Sequence, residues 1–491
     1  MSYREILEEY DFIEDKEEFW KNLNTPKPSY FRINTLKHDK EKIVSALKRY
    51  PDLEFEEIKT LDNYYIVNKG NISKKPEHLF GYLYIQDISS AMVVNMFNKK
   101  TNPSLIIDMC ASPGGKTTLL STIFPNSLII ANDVDRIKSL VHNVQRIGSL
   151  NVVITQCNAR FFPFITNKEI DFILADVPCS AESNLDNYEN YNIQKHRNFI
   201  EYITKIQYEI LNRATKISSK NTEIVYSTCT FNPMENEYII DKLVKEQKIV
   251  VSELPKLENF KNIQTGLVKY KDIEFDKSLS KTLRIYPENM KGMFISKILP
   301  TKYQQEKNGS TAKILNLEDK PTFQNHIIQK ISNDLVLSYL DKFGIQHEIV
   351  NRFTWFHKDK EKISDIYVSS TDLFLVKEKG PLKVEHFGLK AFRYFKPLKI
   401  YKPTSSFLTI IGKYITKNFV ELKFDLNLLK KFLMREEIEF NQFEQIEIDN
   451  SYPFVAVKFN GLVIGCGISK NGKILSEIPI SKSEFLLNII D

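Results

Sequence analysis

A chain of 491 residues with 42% hydrophobic and 26% charged residues has the balance of a globular protein with room for about two to four domains, which excludes a disordered or collagen-like chain. Its 68 Lys and Arg against 62 Asp and Glu leave +6, a surplus that permits a polyanionic partner without requiring one. Five cysteines with no C-x-x-C pair exclude a zinc knuckle and a secreted disulfide framework; MSYREILEEYDF is no signal peptide, and no apolar run has membrane-spanning length. A reducing compartment follows, the cytoplasm or the nucleus, with neither metal nor membrane expected.

Residues 1–26 have the spacing of an amphipathic helix, with Phe12, Phe19 and Trp20 as packing residues. Tyr30 to Leu36 alternates like a strand, residues 39–50 read as helix, and short strands follow near 55–58 and 64–67, a small α+β unit leading to a helix near Ser89. From 104 to about 300, strands and helices alternate, as in a parallel sheet with crossover helices. Strands are predicted at 104–109, 127–133, 152–157, 170–177 and 223–230, with a last pair near 284–286 and 293–298 closing an edge. Helices are predicted near 115–124, 137–148, 197–217 and 234–247, the last opened by Asn232-Pro-Met-Glu235 as a cap. The polar run 301–320 reads as a linker. Beyond it, two Asn-Gly turns at 460–461 and 471–472 mark a three-stranded meander in a second α+β region.

The stretch IIDMCASPGGKTTLL (106–120) organises the central part, as a buried strand turning through glycines into a helix whose free N–H groups face a ligand. Gly115-Lys116-Thr117 ends like a phosphate-binding Walker loop, but the opening glycine would fall at Cys110. A nucleoside-cofactor loop needs an acid at the end of the next strand, and Asn132-Asp133 supplies it. The second reading prevails. Asp108, Asp133, Asn158, Asp176, Cys179 and Cys229 also fall at carboxyl ends of strands, where a doubly wound sheet binds ligands, and are expected to ring one crevice. A lone strand cysteine is more often a small buried hydrophobe than a nucleophile; two converging on an aspartate shift that balance.

The set DMCASPGGKT, ANDVD, DVPCS, YSTCTFNPMENE and RIYPENMKGMF resembles the NOP–Sun family of RNA 5-methylcytosine methyltransferases, as do FRINTLK (31–37) and YIQDISSAM (84–92). The resemblance covers about residues 28–300. GCGISKNGKILSEIP (465–479) more weakly resembles the PUA-like RNA-binding end of some members. It implies an α/β, Rossmann-like S-adenosylmethionine-dependent methyltransferase sheet (96–300) flanked by small α+β domains, N-terminal (1–95) and, after a linker (301–320), C-terminal and PUA-like (321–491). The implied substrate is tRNA, with rRNA as the alternative, and the implied enzyme a monomer.

Carbon 5 of cytosine is too electron-poor to take a methyl group until a thiolate adds at carbon 6. By resemblance, Cys229 is that nucleophile and Cys179 assists release. DNA enzymes attacking the same carbon use a Pro-Cys thiol like Cys179, so the reverse order is the competing assignment. Asp176, protonated in a closed site, would hydrogen-bond the cytosine ring nitrogen, or else pair with Lys116. The resemblance further implies that Cys110, Ala111, Ser112, Pro113, Gly114, Gly115 and Lys116 cradle the methionine part of S-adenosylmethionine and Asp133 holds its ribose hydroxyls. Lys138 and Asp176 are further implied cofactor contacts. Asn158 stands where the family has an aspartate for the adenine amine, Ser180-Ala-Glu-Ser183 replaces a glycine-containing run, and Glu288 replaces a histidine. An RNA-binding scaffold with a vestigial methyltransferase fold is the reading from another class; the intact loop and both thiols oppose it.

Overall fold

The computed structural model describes residues 3–480, 484, 486 and 487, apart from 165–168, 185–192, 256–259, 302–321, 324–325, 359–364 and 372–381. Two short helices open the chain, α1 (Tyr3–Glu8) and α2 (Lys16–Asn24), where the spacing predicts one. Asp15 causes the break, its carboxylate capping α2 by accepting the Glu18 N–H. An antiparallel sheet follows, built from β1 (Tyr30–Ile33), β2 (Glu54–Glu57), β3 (Tyr64–Lys69) and β4 (Leu83–Ile85) in the order β2-β3-β1-β4, with α3 (Lys40–Leu47) and α4 (Pro76–Leu79) between strands.

Helix α5 (Ile88–Asn95) leads into the central sheet. Its parallel part consists of β5 (Leu105–Asp108), β6 (Leu128–Asp133), β7 (Val152–Gln156), β8 (Phe172–Asp176) and β9 (Glu223–Thr228). The crossovers carry α6 (Gly115–Ile123), α7 (Ile137–Ile147) and α8 (Ile193–Ile217), and α9 (Glu237–Lys245) follows β9. These strands read as apolar runs because helices cover both faces, α5 to α7 on one and α8 and α9 on the other. The chain runs β5, β6, β7 one way and then returns to β8 beside β5, so the order reverses between β5 and β8 and leaves a crevice there.

The chain then adds β10 (Ile249–Ser252), β11 (Ile263–Thr265), a small hairpin of β12 (Lys269–Tyr270) and β13 (Ile273–Glu274), β14 (Leu283–Ile285) and β15 (Met293–Pro300). Strand β15 pairs antiparallel with β9, then β14 with β15 and β11 with β14, so β11 and not the predicted last pair forms that edge. The other edge is covered by Lys383–Phe387, which pairs antiparallel with β7 and removes an exposed strand edge. The linker expected at 301–320 lies, from 302 on, outside the described residues.

The C-terminal region holds a five-stranded sheet and a six-stranded one, the latter containing the meander Phe454–Phe459, Leu462–Lys470 and Lys473–Ser476. Its core is shared with the N-terminal unit: Phe31, Ile33, Leu47 and Leu83 pack in one cluster with Val420, Phe432, Val457 and Ile464. Buried Lys37 ties three regions together, its ammonium donating to the Phe80 carbonyl (2.6 Å), the Arg146 carbonyl (2.7 Å) and Thr409 Oγ1 (3.0 Å). The Tyr82 hydroxyl donates to the Val463 carbonyl at 2.7 Å. Among the described residues no helix is long and apolar enough to cross a membrane.

Candidate active site

Strand β5 ends in Asp108, and α6 begins seven residues later at Gly115. Gly114 makes the turn with φ of +103°, a backbone conformation that demands glycine, and a Cβ there would also stand 2.9 Å from Leu140 Cδ1. The first turn of α6 opens onto a cleft of about 220 Å³, lined by Cys110 to Pro113, Gly115 and Lys116, by Asp108 and Asp176, and by Tyr84, Gln86 and Ser90 of the N-terminal unit. Tyr84 is held in that wall by the guanidinium groups of Arg32 (5.0 Å from its ring centroid) and Arg146 (5.2 Å).

Asp108 is buried, with Oδ2 accepting from Thr117 Oγ1 (2.7 Å) and Oδ1 without a hydrogen-bond partner. Burial pushes its carboxyl up to about 7. An acceptor of this kind in a cleft wall, beside the N–H groups of a helix start, suits a ligand carrying both an ammonium and a carboxylate.

Three expected cofactor contacts lie away from that cleft. Asp133 is joined to the loop, accepting the Ser112 N–H (2.8 Å) and the Asp135 N–H (2.9 Å). Asn158 caps a short turn, its Oδ1 taken by the backbone N–H (3.1 Å) and Nε (3.2 Å) of Arg160, which commits the oxygen proposed for an adenine amine. Lys138 is exposed on α7. Val134 and Phe161, 59% and 62% exposed, stand just beyond Asp133 and Asn158. Each is an apolar residue following a polar strand end, where a flat ring could rest.

At the reversal point, Lys116 Nζ donates to Asp176 Oδ2 (2.7 Å) and to Ser90 Oγ (3.3 Å), while Ser227 Oγ donates to Asp176 Oδ1 (2.7 Å). Burial pulls the Lys116 ammonium down, but Asp176 outweighs it and holds the lysine above its ordinary range. Beside this pair, Cys179 and Cys229 place their Sγ atoms 3.2 Å apart, and the Cys229 N–H donates to Cys179 Sγ (3.4 Å). Donation by Cys179 lowers the Cys229 thiol, whereas that contact and burial push Cys179 well up. Asn232 Oδ1 caps a turn by accepting the Met234 N–H (2.9 Å), but α9 itself starts only at Glu237; between them the Glu235 carboxylate accepts the Ser180 N–H (2.9 Å), Ser180 Oγ (2.5 Å) and Gln207 Nε2 (2.8 Å). Glu235 thus fixes the loop carrying Cys179.

Residues 94–299 match the profile of the family described as 16S rRNA methyltransferase RsmB/F. The tRNA (cytosine(49)-C(5))-methyltransferase of Pyrococcus abyssi is 29% identical over 308 residues, 60% of this chain and 95% of the relative. This part of the chain is thus similar to the NOP–Sun methyltransferases. Among other NOP–Sun relatives, the Homo sapiens 28S rRNA (cytosine(4447)-C(5))-methyltransferase is 30% identical over 57% of this chain and 35% of its own length. The ribosomal RNA small subunit methyltransferase F of Aliivibrio fischeri is 30% identical over 60% of this chain and 61% of its own. The chain thus spans less than two thirds of these rRNA relatives. A solved methyltransferase homolog from Pyrococcus horikoshii superposes with a TM-score of 0.51 at 25% identity, covering 60% of this chain and 92% of the other. NSun6 from the same organism, solved with SFG, shares the fold at a TM-score of 0.50 and 21% identity, covering 61% and 97%.

Proposed function

We propose that this protein, like the NOP–Sun enzymes it resembles, methylates carbon 5 of cytosine in RNA, using S-adenosylmethionine and a covalent thiol–cytosine adduct. The observation that carries the proposal is the convergence of Cys179, Cys229 and the Asp176–Lys116 pair at the reversal point of the sheet. S-adenosylmethionine, when bound, supplies an electrophilic methyl group. The orphaned Asp108 oxygen suits its ammonium, the start of α6 its carboxylate, and Val134 and Phe161 its adenine faces; Asp133 keeps lone pairs for the ribose.

Cys229 is the better attacking thiol because the bond from Cys179 stabilises its thiolate. Addition of that sulfur to carbon 6 makes carbon 5 enamine-like. Once carbon 5 carries the methyl group, its proton leaves to water and the electron pair of that C–H bond expels the sulfur from carbon 6, the Cys179 thiol, hydrogen-bonded to Cys229, stabilising the departing thiolate. Lys116 holds Asp176 in place at the base-facing end of β8.

The flanking modules are proposed to bind the RNA. Where they meet, Lys42, Lys413 and Lys458 surround His38, and together with its burial these charges lower the imidazole pKa against the pull of Asp39. The tRNA relative, aligned over 95% of its length, favours tRNA as the substrate class. Transfer of labelled methyl from S-adenosylmethionine to fractionated tRNA and rRNA, followed by bisulfite sequencing, tests both parts. Label in neither RNA overturns the activity; label in rRNA alone overturns the substrate class.

A further inference from the structure

The run Ser180 to Ser183, where this chain departs from the NOP–Sun enzymes it resembles, is laced onto the strand end that carries Cys229. Ser180 Oγ and Thr230 Oγ1 lie 2.8 Å apart. The Ser183 N–H donates to the Cys229 carbonyl (3.1 Å), and the Phe231 N–H donates to Glu182 Oε2 (2.9 Å). Within this turn Ala181 holds φ of +56°, left-handed backbone that is strained for a residue with a Cβ, so the surrounding bonds must fix it.

Glu182 carries the lacing to the start of the chain. It is fully buried; its Oε1 accepts the Tyr10 hydroxyl (2.8 Å), and His196 Nε2 stands 3.5 Å from the same oxygen. Tyr10 lies in the connection between α1 and α2, stacked on Phe12 (ring centroids 5.2 Å apart) and edge-on to Tyr270 (6.4 Å). From α2, Phe19 packs edge-on against the Phe231 ring (4.9 Å), while the Phe231 carbonyl accepts from Arg284 Nη1 (2.9 Å). The N-terminal segment thus grips both Glu182, which follows Cys179, and Phe231, which follows Cys229.

We infer that this segment is a latch on the thiol pair, with Tyr10 and Glu182 as positioning residues that keep the two sulfurs in contact. A carboxylate has lone pairs for both partners at once, so the Tyr10 hydroxyl on one oxygen fixes the other against the Phe231 N–H. Residues before the methyltransferase sheet would then set the geometry of its reacting groups.

The inference rests on Cys179 and Cys229 as the working pair, but its test needs neither RNA nor cofactor. Phenylarsine oxide bonds one arsenic to two neighbouring sulfurs and releases water. The rate at which it bridges Cys179 and Cys229, read by peptide mass spectrometry of the full chain, therefore reports their spacing. Y10F keeps the ring and removes the hydroxyl. It should slow bridging about threefold and E182A about tenfold, because small misplacements of reacting atoms cost rate steeply. Y10F/E182A should be no slower than E182A, because Tyr10 acts through the carboxylate. E182Q should restore most of the rate, since its amide can accept the Phe231 N–H and donate to the Tyr10 oxygen. All rates are compared well below the melting midpoint of each variant, and Y10F with E182Q decides the matter where E182A does not fold. Affinity for S-adenosylmethionine should match the parent, because neither residue lines the cleft. Bridging at the parent rate in folded Y10F and E182A overturns the latch and leaves these bonds a role in stability alone. A double variant slower than E182A overturns the action of Tyr10 through Glu182, and a parallel loss of cofactor affinity overturns the latch in favour of a general loosening. A parent that binds the arsenic but methylates no RNA would overturn the proposed activity instead.

Discussion

Cys179 and Cys229 stand in direct sulfur-to-sulfur contact at 3.2 Å although 50 residues separate them, because β8 and β9 are neighbours that end at the same level of the sheet. Two donations cross it in opposite senses: the Cys229 N–H donates to Cys179 Sγ, while the side-chain bond from Cys179 lowers the Cys229 thiol. In the proposed reaction Cys229 is the attacking sulfur and Cys179 its proton-bearing neighbour.

Removing the two thiols separately should give opposite signatures. Cys229→Ala should abolish methyl transfer with little change in cofactor affinity. Cys179→Ala should form the adduct and release it slowly, leaving a protease-sensitive protein–RNA band on denaturing gels. A trapped band with the Cys229 variant alone would mean the roles are reversed. Two merely structural cysteines would cost a small cavity term and trap nothing.

Asp108 sets a pH dependence of stability. Its folded pKa of about 7 lies above the ordinary 3.8, so the folded state keeps a proton that the unfolded chain releases between these values. Stability is therefore lost as pH rises from about 4 to 7, by on the order of 4 kcal/mol for the full shift. His78 and His386, depressed by burial to about 4 and about 3, change stability in the opposite direction over much of that range. Comparison with Asp108→Asn isolates the aspartate. Urea unfolding should show the variant gaining on the parent between pH 5 and pH 8; a constant offset would remove Asp108 as the cause. The same ionisation should tighten S-adenosylmethionine binding as pH rises toward 8 in the parent but not in the variant.

Gly114→Ala tests the cradle itself. A side chain at φ of +103° is strained, and its Cβ would press on Leu140 Cδ1 at 2.9 Å. Cofactor affinity should fall at least tenfold, about 1.4 kcal/mol. Calorimetry showing an unchanged dissociation constant would mean that the turn can shift without disturbing the cleft.

The parallel strands were legible because strands buried on both faces read as apolar runs, bounded here by turns such as Ser112 to Gly115. The loop and the thiols were legible through their order along the chain. Strand Lys383–Phe387 was not, since its pairing with β7 depends on a partner 230 residues away and leaves no local signal. Nor was the role of Glu182: an acid in a polar loop reads as solvated, yet here Tyr10 and the Phe231 N–H satisfy it in a buried position. The local partner of Asn158 was hidden too. The residue type at 158 allowed an adenine contact, and the Arg160 N–H that its oxygen accepts leaves no mark in the sequence.

The shared core of the first and last parts of the chain gives the final prediction. If the N-terminal unit, the methyltransferase sheet and the C-terminal region were beads on a string, a substitution at Lys37 would loosen only its own unit. The structure gives Lys37 one partner in each region: the Phe80 carbonyl, the Arg146 carbonyl and Thr409 Oγ1. Lys37→Met keeps most of the side-chain volume but removes the donor, leaving buried acceptors without it, at a cost of roughly 2–4 kcal/mol. Hydrogen exchange should therefore accelerate together in Tyr30–Ile33 and in Phe454–Phe459, far apart in sequence but packed in one cluster. Thermal unfolding of these two segments should also shift by the same amount. Faster exchange confined to the N-terminal strands would show that the two regions unfold separately, and that the bond to Thr409 couples nothing.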